Sequence, residues 1–289
     1  MEVDQMSTFI DKKVLNMSYH VEVFSSASEV VEVSSHRTIT SSSFDDMSKA
    51  HIDKSWTGVR SLNEALELMR TGYQPTVDKL KAKLKANVAG NGKRISFYND
   101  VVGFAPIVPL ALQGVPTAML NSRMKPIKSK VINIYYDMGA TSSVTTDQML
   151  DAGAKVLAAI LDLETQGYKF NLYSIQGYAD NNGGKGTCDM LCTKIKSSGT
   201  PFDLKRLSFA LTHPAYLRVI GFDWYSKVPG GKYRHMYGTP IGRLFSDKDL
   251  QKTMDSLFNS KTVVFSCSKI LKTGVDSIKN AIIEKGQGK

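Results

Sequence analysis

The chain has 289 residues, of which 42% are apolar and 22% charged, proportions that exclude wholesale disorder and fibrous classes. It contains no run of about 18 apolar residues, and its first residues, MEVDQMSTFIDKK, lack the basic and apolar stretches of a signal peptide, so neither a membrane span nor export is expected. The net charge of +10 and pI of about 9.3 point towards an anionic partner.

Residues 1–54 read as a Ser-rich acidic arm: residues 1–53 hold nine Asp/Glu against four Lys/Arg, and VEVFSSASEVVEVSS suggests short strands at Val21–Phe24 and Val30–Val33. In SWTGVRSLNEALELMRTGY, Ser61 with Glu64 forms a capping box, Leu62, Ala65, Leu66 and Met69 give an apolar face, and Gly72 ends a helix. A second helix is expected over Val77–Val88, although the alternation of its lysines also permits a strand. Pro106, Pro109, Pro116 and Pro126 then deny a long helix, which predicts an irregular, partly buried connection or a segment that lines a protein interface. Residues 55–130 are thus a helical and Pro-rich basic interface region.

From residue 131 the pattern changes. VINIYY is a strand buried on both faces, Thr145 and Gln148 cap a helix over Thr146–Gln166, and Gly167 stops it. FNLYSIQGYA and TCDMLCTKI flank the turn DNNGGKG as a hairpin. Asp203–Leu211 reads as a helix, LRVIGFDWY as a strand, FSDKDLQKTMDSLFN as a capped helix, TVVFSCS as a strand, and Ile270–Glu284 as a last helix. Residues 131–289 therefore form an α/β domain: a mainly parallel sheet, helices on both faces, an antiparallel edge, and the N-terminal extension before it.

Cys188, Cys192 and Cys267 include one C-x-x-x-C pair with no neighbouring His, too few ligands for a recognisable zinc site, so reduced and partly buried thiols are expected. Ten basic residues crowd residues 75–130, namely Lys79, Lys81, Lys83, Lys85, Lys93, Arg94, Arg123, Lys125, Lys128 and Lys130, against Asp78 and Asp100. They form either a solvated face or a surface for an acidic protein or nucleic acid. Tyr225, Tyr233, Arg234 and Tyr237, with Lys227 and Lys232, interleave rings and cations as a single-strand nucleic-acid surface would; a loop packed on its own aromatics is the alternative. His213, before Pro214, reads as a helix-end residue, and His235 as an exposed loop residue.

In open α/β sheets ligands gather beyond the carboxyl ends of the strands, which draws attention to Asp137–Thr145. A strand ending in Asp, a hydroxyl-rich loop, a long helix, a hairpin and a later Gly-Thr resemble the von Willebrand factor A-type domain. In that family Asp-x-Ser-x-Ser, a Thr and a later Asp hold a divalent cation. The resemblance puts Asp137 on the family Asp, Gly139 on the first Ser, Thr141 on the second and Thr200 on the Thr. It implies a degenerate site of Asp137, Thr141, Ser143 and Thr200 that would take Mg2+ if it takes an ion. Gly139 supplies no hydroxyl, and Ser266, Cys267 and Ser268 stand where the family has its later Asp. The alternatives are no cofactor, with Asp137 and the hydroxyls capping the turn, or a phosphate cradle, which the missing glycine patterns and the carboxylate oppose.

Over residues 55–225 the chain also resembles an uncharacterised group of tailed-phage proteins. The shared features are Trp56, Gly58, Glu64, Ala65 and Leu66; Pro106, Pro109, Gly114, Pro116 and Met119; and Arg206–Arg218. That resemblance implies a viral protein in the host cytoplasm or the virion. The expected function is non-enzymatic: protein–protein interaction in a virion or during assembly, with other phage proteins or further copies as partners and no membrane. Alternatives are nucleic-acid binding through residues 79–130, Tyr233 and Arg234, and a metal-dependent enzyme or adhesion site at Asp137.

Overall fold

The structure, a computed structural model, describes residues 7–39, 52–78, 81, 95–124, 131–182, 185–201, 203–231 and 239–287. The N-terminal segment is built into the main sheet. Ser7–Val14 (β1) and Met17–Phe24 (β2) form an antiparallel hairpin, and β2 then runs parallel to Lys185–Lys196 (β8). β2 is buried on both faces: Tyr19 and Val21 join the apolar cluster on one side of the sheet, and Phe24 joins the cluster on the other. The expected strand at Val30–Val33 is instead part of helix α1, Ala27–Ser35. The Ser26 hydroxyl accepts from the Glu29 backbone N–H, while Val30 and Ser34, one turn apart, are its buried residues. Capping and period override the strand preference of valine.

The remaining strands of the main sheet are Val131–Asp137 (β6), Lys169–Asn182 (β7), the two-residue Thr239–Pro240 (β9) and Thr262–Ser266 (β10). The order is β1-β2-β8-β7-β6-β10, with β9 on β7. Strands β2/β8, β6/β7 and β6/β10 are parallel, whereas β1/β2, β7/β8 and β7/β9 are antiparallel. The sheet is therefore mixed: mostly parallel, with the expected antiparallel edge at β1/β2 and a further antiparallel pair at β7/β8. The expected hairpin β7–β8 and capping box are present: the Thr145 hydroxyl accepts from the Gln148 N–H at 3.3 Å, and the Gln148 side chain accepts from the Thr145 N–H at 2.9 Å.

Two short helices follow α1: Lys54–Thr57 (α2), ended by Gly58 at φ 81°, and Leu62–Thr71 (α3). Ser61 accepts from the Glu64 N–H, but the Glu64 carboxylate returns to the Arg60 N–H at 2.7 Å, one residue short of a reciprocal box. Of the helix expected over Val77–Val88, helical backbone is described at residues 74–78 and 81, and the rest lies outside the described residues.

The Pro-rich stretch is a separate three-stranded ribbon: Ile95–Asp100 (β3), Ala105–Pro106 (β4) and the central Met119–Met124 (β5), with Val108–Leu112 (α4) at the far end. Its prolines fit this plan. Pro106 sits on a flanking strand, and Pro109 lies in the first turn of α4, where no backbone donor is needed.

One face of the main sheet is covered by Thr146–Thr165 (α5), Leu204–Thr212 (α6), a π-helix at Tyr216–Gly221, and Phe222–Lys227 (α7), with Cys267–Ile270 (α10) and Val275–Gln287 (α11) beside them. The other face packs against Ile241–Leu244 (α8) and Leu250, Met254 and Leu257 of Asp247–Leu257 (α9). The expected strand LRVIGFDWY is overturned. It is π-helix running into α7, and every residue of the π segment is buried. An apolar run buried all round carries no helical period, so a buried helix and a buried strand read alike.

Candidate functional site

Asp137 ends β6, flanked in register by Ile175 of β7 and Ser266 of β10. It is fully buried. Its Oδ1 accepts from the Gly139 N–H at 2.8 Å and its Oδ2 from the Gly242 N–H at 3.1 Å. Burial pushes its carboxyl up to about 7, opposed by the two backbone donors, the Lys269 charge and the Ser266 hydroxyl. Cys267, next to Ser266, is a buried thiol pushed up to about 11 by desolvation.

The two glycines are part of this geometry. A Cβ at Gly242 would collide with the Ser266 hydroxyl and the Asp137 carboxylate, and one at Gly139 would come within 2.8 Å of Asp137 Oδ1. Gly139 gives its backbone N–H to the carboxylate at a distance that leaves no room for a side chain there. Asp137 thus pins the start of the β6–α5 loop and the β9–α8 segment to the same strand end. Chemically, this arrangement can hold or release one proton beneath that cover.

The four residues expected to share an ion are not brought together. Thr141 and Ser143 exchange a 2.9 Å hydrogen bond with each other at the surface. The Thr200 hydroxyl donates to Ser197 O at 2.8 Å, in a turn whose Ser198 N–H donates to Asn171 Oδ1 at 2.9 Å. Asn171 is level with Asn133, four residues and about 13 Å back along β6 from Asp137. The reason is topological: β8 runs antiparallel to β7, so the turn after it emerges away from the carboxyl end of β6. A hard cation wants several free oxygens, whereas both Asp137 oxygens already accept backbone N–H groups. The donor set does not fit Mg2+, and no metal step is assigned to it. Among the described residues no three His, Cys, Asp or Glu side chains gather as a metal site would require.

Of the expected basic and aromatic surface, Lys81 is exposed, and Arg123 lies on β5 opposite Ser96. Lys79, Lys83, Lys85, Lys93, Arg94, Lys125, Lys128, Lys130, Lys232, Tyr233, Arg234, His235 and Tyr237 lie outside the described residues. Tyr225 is not a surface ring: it is buried, and its hydroxyl donates to Gln176 O at 2.8 Å. Lys227 is held by Asp223 at 2.8 Å. The three cysteines are free and buried.

His213 caps the end of α6, as expected, and is buried against Phe209 and Tyr73. Its Nδ1 accepts from the Ala215 N–H at 3.2 Å, and burial lowers its pKa to about 4, so it is a neutral core group at ordinary pH. Arg218 carries no sequence signature of its role. Its buried guanidinium donates to Trp56 O and to Val144 O at 2.6 Å, and lies 4.6 Å from the centre of the Trp56 ring. Burial lowers its pKa. Trp56 thus meets Arg218, and Gly58 lies against the His213 ring. These contacts join α2 to α6 and the π-helix, an architectural role.

A second candidate surface is the ribbon. Phe97, Val101, Val102, Phe104, Val108 and Leu112 are all largely exposed, Leu112 at 85% and Val102 at 68%. Among the described residues its strands pack chiefly on one another. Large apolar side chains exposed together are uncommon on a protein that works alone.

No curated protein and no solved structure matches the chain. The family model of DUF7192, a domain of unknown function, matches residues 11–270, a span that begins in β1 and closes at the end of α10. The chain belongs to that family.

Proposed function

We propose that the protein is a non-enzymatic interaction protein whose α/β body carries the β3–β5 ribbon and docks it into another protein surface, as a virion or assembly component would. The observation that supports this reading is the concentration of exposed large apolar side chains on the ribbon and α4. Burying an exposed Val, Leu or Phe contributes about 1.5–3 kcal/mol each, so this surface gains substantially from a partner.

The test is a photo-crosslinking residue placed at Leu112 in cells that naturally make the chain, with a control at exposed Glu67 on α3. The expected result is a discrete protein adduct from position 112 alone. Equal labelling from both positions, or none from Leu112, would refute the reading.

A further inference from the structure

We infer that the surface which the ribbon meets is the ribbon of a second copy of this chain, an inference that rests on the docking reading above. In a protein of net charge +10, the 22 residues from Val101 to Ser122 contain no Asp, Glu, Lys or Arg. A partner chosen by opposite charge is recognised through complementary potential, and this stretch offers none. A lipid bilayer fits poorly as well. The distal half of the ribbon starts at Asp100, whose carboxylate accepts from the Val101 N–H at 2.7 Å, and an open sheet cannot bring its edges into hydrocarbon without stranding backbone polar groups.

An uncharged apolar surface is complementary to itself. A two-fold axis uses the same residues twice, which is the commonest way soluble proteins associate. The exposed side chains of Phe97, Val101, Val102, Phe104, Val108 and Leu112 offer roughly 500–700 Å² per copy, close to the ~800 Å² per partner of a standard interface once neighbouring backbone is included.

The experiment is light scattering on the purified full chain across a dilution series at low and high salt. The expected mass is twice 31.9 kDa, falling to the single-chain value on dilution. Added salt should leave the dimer unchanged or strengthen it, because the interface is apolar and the two copies share a like net charge. Phe104→Ser with Leu112→Ser should be monomeric at every concentration with an unchanged melting temperature, since both side chains are exposed.

A wild-type mass of 31.9 kDa throughout, or a dimer that survives the double substitution, overturns the inference. A monomer whose position 112 still crosslinks to a different protein overturns the second copy and leaves the docking reading standing. A monomer with no crosslink removes both. A monomer that sediments with phosphatidylglycerol vesicles overturns the inference in favour of lipid.

Discussion

Asp137→Asn tests the carboxylate at the end of β6. In the folded protein burial raises this carboxyl to about 7 from the usual 3.8, so between those values the native state holds a proton that the unfolded chain has lost. The stability linked to that proton is fully present below about pH 4 and is lost as pH rises through 7, a difference of roughly 4 kcal/mol across the window. Asparagine keeps the shape and one oxygen for the Gly139 N–H, but does not titrate. It turns its amide NH2 towards the Gly242 N–H, donor against donor, so its stability is offset by a constant amount. Urea unfolding of both proteins from pH 4.5 to 8 reads the effect. The expected result is a wild-type advantage at pH 4.5 that shrinks steadily and flattens above pH 7; the difference between the proteins removes every other titrating group. Parallel profiles would refute the assignment of Asp137 as a buried, proton-holding group.

Glu22 on β2 is fully buried, with Arg37 donating at 2.6 and 2.8 Å, Trp224 Nε1 at 2.7 Å and the Ser7 hydroxyl at 2.5 Å. Glu22→Ala leaves the guanidinium unpaired and should cost about 3–5 kcal/mol, read by urea unfolding, with a shift in Trp224 fluorescence in the native baseline. A loss under 1 kcal/mol would mean that the N-terminal hairpin is not integral to the sheet. Arg218→Met should cost about 2–4 kcal/mol through two unsatisfied carbonyls and the lost stacking on Trp56, and Arg218→Lys should recover little, because a point charge cannot reach both acceptors and the ring. Full recovery by lysine in a thermal melt would refute that geometry.

Local chemistry made much of this protein readable without coordinates. Ser61, Thr145 and Gly72 mark helix ends because caps and stops act within one turn. The β7–β8 hairpin follows from its turn residues, and Asp137 at the end of a buried apolar run could be placed at a strand's carboxyl edge. What could not be read depends on contacts distant in sequence. Nothing in LRVIGFDWY separates a strand from a helix buried on every side, and only packing on β7 decides it. There Gln176 Nε2 donates to Tyr216 O at 3.2 Å, and Gly221 leaves room for the rest of that side chain.

The same holds for the site. Asp137 and Thr200 carry the right residue types for a shared ion, but their separation is set by β8 running antiparallel to β7, and residue types along a chain do not encode strand direction. The acidic N-terminus likewise looks like a loose arm until Glu22 is seen neutralised by Arg37 inside the fold. Helix caps and stops are legible along the chain because they act within one turn. Which polar groups meet is not, because the energy that selects those meetings comes from burial between segments far apart in the chain.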